Sequence, residues 1–194
     1  MVSTRFLLFT LSTTTASVAI PLAARQYDDY QPTCWDKILD LQWTISGLSY
    51  SASYTTVSPE ANTTSWDYVG FTLSNSAVGY MADCVAGSVV GFNGTEEYSC
   101  TLGEGAPEGA GVKFKFAKEQ GKVEVEEVIL CSEGEGHSAT FVAKGETGVS
   151  LGQCTDETQE NEEWKEGEVY KNREVKCAGG EDVSLWPSQF LVKE

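Results

Sequence analysis

The sequence contains few basic residues and almost no histidine. Among its 194 residues, 13 lysines and arginines stand against 29 aspartates and glutamates, and the formal charge is −16 with one histidine. The phosphates of nucleic acids and anionic lipids repel a protein of this charge. One histidine also excludes sites that need two imidazoles, such as the zinc site of an H-E-x-x-H protease. We therefore expect neither a nucleic-acid partner nor a membrane partner.

Catalytic and cofactor motifs are also missing. The glycine-rich segment 103–111 has Glu108 where a dinucleotide fingerprint requires a third glycine. The acidic run after residue 155 has Asn161 where a calcium loop requires glycine. His137 has no G-x-S-x-G motif to accompany it, so we interpret it as a surface turn residue. The sequence predicts no metal site and no cofactor.

The first 19 residues have the pattern of a secretory signal peptide. Arg5 precedes the apolar run 6–11, and Ser17 and Ala19 supply the small residues that signal peptidase requires. The run is shorter than the roughly 18 residues that a membrane span needs. A buried N-terminal strand is the alternative interpretation. We expect residues 1–19 to be removed, residues 20–33 to be a short pro-segment or flexible N-terminus, and residues 34–194 to form a single secreted, extracellular domain.

Six cysteines follow the signal segment. An even number in a secreted chain predicts disulfides rather than free thiols. Zinc binding is the competing interpretation, but no C-x-x-C pair occurs. Spacing alone does not choose among the possible connectivities of Cys34, Cys84, Cys100, Cys131, Cys154 and Cys177.

Two N-glycosylation sequons become meaningful in a secreted chain. Asn62-Thr63-Thr64 and Asn93-Gly94-Thr95 both satisfy the acceptor pattern and lie in turn-like contexts. We predict that Asn62 and Asn93 are glycosylated, the alternative being unused surface triplets.

Hydrophobic alternation with period two dominates the chain from residue 41 onward. Residues 112–116 and 122–126 alternate apolar with charged side chains across a short link, which predicts an antiparallel hairpin. One short helix is indicated at residues 35–42 behind Thr33 as N-cap. The chain is thus predicted to be all-β, an antiparallel β-barrel or β-sandwich stapled by disulfides, with little helix. Further strands are predicted at 43–46, 50–57, 68–73, 78–85, 97–101, 128–131, 139–143, 149–151 and 168–177.

Two segments are predicted to be loops. Segment 103–111 is too rich in glycine and proline to pair, and segment 155–167 is a self-repelling acidic run. We expect the acidic loop to be exposed, held at its base by Cys154 and Cys177, and cut first by proteases. Trp164 either packs the loop against the fold, which we favour, or contacts a partner. The candidate interaction surface comprises Trp164, Glu160, Glu162, Glu163 and Glu166.

The predicted strands also carry aromatic and acidic side chains outside the segments discussed above. The aromatic residues are expected in the core: Trp43, Tyr68, Phe71, Phe114 and Phe116. A glycosidase would need two facing carboxylates, and a chain this acidic offers many. The first candidates, all expected to face outward as part of the strand pattern, are Glu124, Glu126, Glu127 and Glu174.

Several short segments, taken in order, match the pattern of a known family. The segments are Trp43-Thr44-Ile45, Val69-Gly70-Phe71-Thr72-Leu73, Cys84 followed by Tyr98-Ser99-Cys100, the Phe114-x-Phe116 strand before Val123-x-Val125, and the late pair Cys154 and Cys177. In these segments the chain resembles the fungal secreted domain family named for the major allergen of Alternaria alternata. The resemblance covers roughly residues 41–186. Residues 21–26 are similar to the short pro-segment of that family.

The resemblance implies a β-barrel-like fold, secretion by a fungus, and membership of a group of allergens, elicitors of plant defence and effectors without a settled catalytic role. It also implies bridges Cys84–Cys100 and Cys154–Cys177, which leaves Cys34 and Cys131 to pair. The chain departs from the family where an early cysteine joins two subunits, because Cys131 here offers Cys34 a partner within the chain. A covalent dimer is therefore in doubt, and we expect a monomer or a weak dimer.

These observations together favour a secreted, non-enzymatic protein that acts by surface recognition as an effector, elicitor or allergen-like protein toward a host. The charge favours a basic host protein as partner. The alternative is a carbohydrate-active enzyme or a secreted β-barrel that binds a small ligand, for which an apolar pocket or paired carboxylates would be needed.

The disulfide prediction is testable without a structure. Alkylation of the secreted protein before reduction should leave all six cysteines unmodified in peptide mass spectra. Alkylation at several of them would contradict the stapled fold.

Overall fold

The computed structural model describes residues 33–132 and 138–193. For residues 132 and 138 it describes the backbone alone. The predicted signal peptide, the pro-segment up to residue 32 and His137 lie outside the described residues. Within the described ranges, no helix is long and apolar enough to cross a membrane.

Strands dominate the described chain. The first half contains α1 (Cys34–Leu39), β1 (Trp43–Thr56), β2 (Thr64–Asn75), β3 (Met81–Ser88), β4 (Tyr98–Ser99) and β5 (Thr101–Leu102). The second half contains β6 (Gly111–Ala117), β7 (Lys122–Ser132), β8 (Ser138–Gly148), β9 (Gln153–Glu160), β10 (Lys171–Ala178), β11 (Val183–Leu185) and β12 (Gln189–Lys193). The all-β prediction is confirmed.

The strands form two antiparallel sheets that do not close into a barrel. The first sheet has the order β5-β3-β2-β1-β10-β9, and the short β11 also pairs with β1. The second has the order β12-β8-β7-β6-β4. The predicted hairpin at 112–126 is the β6–β7 pair, in which Phe114 lies opposite Val125.

The core lies between the inward faces of the two sheets. Strict alternation brings Val69, Phe71 and Leu73 of β2 inward, and Phe114 and Phe116 of β6 face them from the second sheet. The rings of Phe71 and Phe114 meet edge to face with centroids 5.0 Å apart. Contacts of this geometry add to the hydrophobic stabilisation of each ring. The sheets are therefore held together mainly by apolar packing.

The short helix and the three disulfides agree with expectation. Thr33 and Asp36 form a reciprocal capping box at the start of α1. The helix is tied to β7 by the bridge Cys34–Cys131. The bridges Cys84–Cys100 and Cys154–Cys177 also form, so the pairing implied by the resemblance is confirmed. No described cysteine is free.

The predicted strand at 149–151 is wrong. After Gly148 the chain leaves the second sheet and enters the first at β9, so these residues connect the sheets. Within residues 149–151, the backbone N–H of Val149 donates a hydrogen bond to the Gly121 carbonyl oxygen at 2.7 Å, but no strand forms.

The prediction of a loop over 155–167 is wrong in its first half. Residues up to Glu160 belong to β9, an edge strand that is exposed along its whole length. Its partner is β10, with Asp156 opposite Val175 and Glu160 opposite Lys171. The segment lacks apolar alternation because neither face of it is buried, which removes the pattern by which strands are recognised.

Tyr68 was expected in the core and is instead on the outer face of β2, with 46% of its surface exposed. Side chains alternate along a strand, so residues 68 and 71 cannot share a face. Phe71 takes the inward position and Tyr68 the outward one.

Glu127 was expected to face outward and is instead buried, with 1% of its surface exposed. It occupies an inward position of β7 together with Val125 and Ile129. Its Oε2 accepts hydrogen bonds from Trp43 Nε1 at 2.5 Å and Asn75 Nδ2 at 2.6 Å. Its Oε1 accepts a hydrogen bond from the Tyr80 hydroxyl at 3.3 Å. The carboxyl thus joins the second sheet to β1, β2 and the segment before β3.

Burial raises the pKa of the Glu127 carboxyl, although its hydrogen bonds act in the opposite direction. Burial also raises the pKa of the Tyr80 hydroxyl, assisted by the neighbouring Glu127. The desolvation of a charge between two sheets is costly unless the group is fully hydrogen-bonded. No buried side-chain nitrogen or oxygen among the described residues is without a partner.

Substitutions at Glu127 separate its hydrogen bonds from its charge. Glu127→Ala should lower the free energy of unfolding by about 2–4 kcal/mol, because it leaves three buried donors without an acceptor and creates a cavity. Glu127→Gln keeps an acceptor for Trp43 and Asn75, and its amide can donate to the Tyr80 hydroxyl. It should be at least as stable as the parent protein at neutral pH.

The pH dependence follows from the direction of the pKa shift. Since folding raises the pKa of Glu127, the parent loses stability relative to Glu127→Gln as pH rises above the ordinary glutamate pKa of 4.5. Urea unfolding followed by tryptophan fluorescence between about pH 4 and pH 8 measures the difference. A glutamine variant as unstable as the alanine variant at neutral pH would contradict this account.

Candidate recognition surface

The acidic residues singled out in the sequence lie at the end of the β9–β10 hairpin. Cys154 and Cys177 are directly opposite each other in that pair, so their bridge closes the hairpin at the other end. Glu160 ends β9, whereas Glu162, Glu163 and Glu166 lie in the connection to β10. We call this connection, residues 161–170, the acidic turn.

The acidic turn is ordered by its own hydrogen bonds. The backbone N–H of Asn161 donates a hydrogen bond to the Tyr170 carbonyl oxygen at 2.8 Å, and this bond closes the turn. The Asn161 side chain donates to Glu168 Oε2 at 3.0 Å and accepts from the Glu163 amide at 3.2 Å. A side chain that bonds backbone two residues on is a common way to fix a tight turn.

Trp164 attaches the acidic turn to the β1–β2 connection. Its Nε1 donates to the Val57 carbonyl at 3.0 Å and to the Glu168 carbonyl at 2.9 Å. The ring is half-buried. The packing interpretation of Trp164 is therefore the one the geometry supports, although part of the ring stays open to solvent.

The acids of this region divide into paired and unpaired groups. Hydrogen bonds from Tyr170 and Lys171 lower the pKa of Glu160, and Arg173 lowers the pKa of Asp156. Among the described residues, no ion pair involves Glu162, Glu163 or Glu166. Glu160 is therefore ion-paired. Glu162, Glu163 and Glu166, which flank Trp164 in the sequence, are exposed carboxylates.

Two apolar side chains that the sequence did not single out adjoin Trp164. Val57 and Val169 are both exposed, and with Trp164 and Glu166 they line an open groove of about 610 Å³. Val57 is distant in sequence and joins the surface only through the β1–β2 connection, so no local pattern indicates it. The result is an apolar centre with an acidic rim, an arrangement found at protein interfaces.

Three of the carboxylates proposed as glycosidase candidates are engaged by lysines. Glu124 pairs with Lys115 at 3.0 Å, Glu126 pairs with Lys144, and Glu174 pairs with Lys176 at 2.7 Å. Glu127 is enclosed between the sheets. Metal-binding groups of three or more histidine, cysteine or acidic side chains do not occur in the part of the chain that is described.

A second polar region lies beneath the sequon at Asn93. Buried Asp67 accepts a hydrogen bond from the Tyr50 hydroxyl at 2.6 Å, and Lys118 Nζ lies 4.5 Å from the centre of the Tyr50 ring. Burial, with the adjacent Asp67, raises the pKa of that hydroxyl. Asn93 stands at the rim of an adjoining cavity of about 330 Å³.

Both sequons are accessible. Asn62 and Asn93 are exposed. The Asn93 side chain accepts hydrogen bonds from the Thr95 amide at 2.9 Å and the Thr95 hydroxyl at 2.7 Å. This turn couples the asparagine to the sequon threonine. Glycosylation at the two positions stays a prediction.

The fold and its bridges define a disulfide-rich β protein of two antiparallel sheets with an exposed acidic hairpin. The family model for Alternaria alternata allergen 1 matches residues 45–177. The chain belongs to this family, as the resemblance predicted. Comparison with curated proteins and with solved structures gave no significant match.

Replacement of Trp164 tests its anchoring role. Trp164→Phe keeps an aromatic ring but removes the N–H that serves two carbonyls, at a cost of about 1 kcal/mol. Local opening of the turn should become about fivefold more frequent. Digestion with a glutamate-specific protease, followed by mass spectrometry, should cut the parent first within residues 161–170 and the variant there several times faster.

Trp186→Phe is the matched control, because Trp186 is 63% exposed and lies outside the hairpin. It should leave the rate of cutting unchanged. Equal rates in the parent and both variants would show that the indole hydrogen bonds do not hold the turn.

Proposed function

We propose that this protein is secreted and acts without catalysis, as an effector or elicitor that binds a basic protein of a plant host. Family membership and three disulfides support secretion and an allergen-like character. The observation that supports recognition is the surface around the acidic turn. Trp164, Val57, Val169 and Glu166 line one groove there, and Glu162 and Glu163 are exposed in the same turn.

The composition of this surface indicates how binding would occur. Apolar side chains at the centre of an interface supply most of the binding energy, while surrounding charges select the partner and accelerate its approach. The net charge of −16 draws a cationic protein from a distance. The hydrogen-bonded turn limits the entropy lost on binding, because its backbone is already ordered.

A pull-down from host apoplastic fluid tests the proposal. The immobilised parent should retain a basic protein whose retention falls as salt is raised. The triple variant Glu162→Gln, Glu163→Gln, Glu166→Gln should bind about tenfold more weakly, a difference of about 1.4 kcal/mol. A parallel screen with glycan substrates should yield no hydrolysis product.

The matched control makes the same change in net charge elsewhere. It combines Glu104→Gln, Glu108→Gln and Glu119→Gln, in the β5–β6 and β6–β7 connections. Binding should survive in this control. Equal loss in both triple variants would mean that overall charge, not this surface, attracts the partner, and glycan hydrolysis by the parent would refute the non-catalytic role.

A further inference from the structure

The outer face of the first sheet exposes aromatic side chains where no role has been assigned. Trp66 and Tyr68 on β2 are 53% and 46% exposed, and Val85 on β3 is 48% exposed. All three point away from the core by strand alternation. We call these residues together with Gly87 the aromatic platform. Large apolar groups placed together on a surface usually mark a binding site.

Gly87 allows the two rings to lie against the sheet. A Cβ atom at position 87 would stand 3.0 Å from Cζ2 of Trp66 and 3.5 Å from Cδ2 of Tyr68. Both rings therefore border one point on β3, directly opposite Tyr68 in the strand register. The backbone of Gly87 has an ordinary negative-φ conformation, so what glycine provides here is space rather than a special backbone angle. The absence of a side chain gives a flat aromatic surface.

The strands that carry the platform bear little charge. Outward positions of β1 and β2 are occupied by serine, threonine and glycine besides the two rings, and β3 adds one acid, Asp83. Beyond β1, the strand β10 adds one ion pair to this face, between Glu174 and Lys176. The outer face of the second sheet is more highly charged, since Lys113, Lys115, Lys122 and Lys144 each pair with a glutamate there. A neutral aromatic face on a chain of charge −16 complements a neutral ligand rather than an ionic one.

Hydroxyl groups border the rings on β1. Ser51 lies opposite Tyr68 and Ser53 lies opposite Trp66. The Ser53 hydroxyl is only weakly engaged, 3.5 Å from Asn172 Oδ1. Flat rings flanked by hydroxyls match a pyranose, whose axial C–H groups form an apolar face and whose equatorial hydroxyls lie at the edge. A β-linked chain of pyranoses repeats that face along its length.

We propose that the aromatic platform binds a neutral, β-linked polysaccharide, with Trp66 and Tyr68 stacking on successive or neighbouring sugar rings. Both rings lie on β2, outside the acidic turn, and the proposal does not depend on the proposed host protein. An anionic polysaccharide is disfavoured by the net charge. A protein partner or a second copy of the chain would use the same apolar area, and the experiment distinguishes them.

Binding to insoluble cellulose, xylan and chitin tests the proposal, with polygalacturonate as the anionic comparison. The chain is produced without N-glycans, so that no attached glycan competes for the site. The parent should bind at least one neutral polysaccharide more tightly than polygalacturonate. Trp66→Ala combined with Tyr68→Ala should weaken binding at least about tenfold.

Gly87→Val provides a second variant that keeps both rings in the chain. Its side chain would occupy the space now taken by the Trp66 ring, while valine is well suited to a strand. Binding should fall several-fold although the number of aromatic residues is unchanged. Trp186→Ala, which removes an exposed tryptophan elsewhere, is the control and should change binding by less than about twofold.

Several results would overturn the proposal. They are no binding of the parent to any neutral polysaccharide, preferential binding to polygalacturonate, or binding by the double alanine variant equal to that of Trp186→Ala. Analytical ultracentrifugation gives a further contradicting result. If the parent is a dimer and the double alanine variant is a monomer, the platform is a self-association surface. Circular dichroism of each variant confirms that a loss of binding is not a loss of fold.

Discussion

The buried carboxyl of Glu127 is the polar contact through which the two sheets depend on each other. Apolar packing between sheets is non-directional and would tolerate several relative positions. Glu127 adds direction, because its oxygens must meet Trp43 on β1, Asn75 on β2 and Tyr80 just before β3. A displacement of one sheet along the other would leave buried donors without partners. The carboxyl thus fixes the register of the sandwich.

The two outer faces of the sandwich differ in chemistry although both belong to antiparallel sheets. On the second sheet, lysines and glutamates pair across strands, and such exposed pairs add little stability each but keep the face soluble. On the first, the outward positions of β1 and β2 carry serine, threonine, glycine and aromatic side chains without charge. A third surface lies at the end of the β9–β10 hairpin, where Glu162, Glu163 and Glu166 are exposed. One small domain therefore presents three surfaces of different character.

The sequence predicted most of what depends on alternation between a buried and an exposed face. The β6–β7 hairpin was recognised because apolar and charged residues alternate, and α1 was recognised from Thr33 at its cap. β9 was missed because Asp156, Glu157 and Glu160 sit in a strand with no buried face. Its extended form comes from pairing with β10, a long-range contact that local pattern does not contain.

The errors at Tyr68 and Glu127 have a different origin. At both positions the chemical type of the side chain favours one face of the strand, whereas alternation along the strand favours the other. Alternation assigns Glu127 to the face of Val125, and Tyr68 to the face opposite Phe71. The surface around Trp164 was predicted in its acidic part, whereas Val57 reaches it only through the folded chain.

The acidic edge strand β9 also has a consequence for how the protein behaves in concentrated solution. An edge strand offers unpaired backbone groups to any neighbouring strand and can start sheet-to-sheet growth between molecules. The acids Asp156, Glu157 and Glu160 on β9, together with the net charge of −16, oppose this growth by repulsion. The charge of the hairpin therefore keeps identical molecules apart. Evolution of this segment toward neutrality would risk fibrous assembly before it altered the fold.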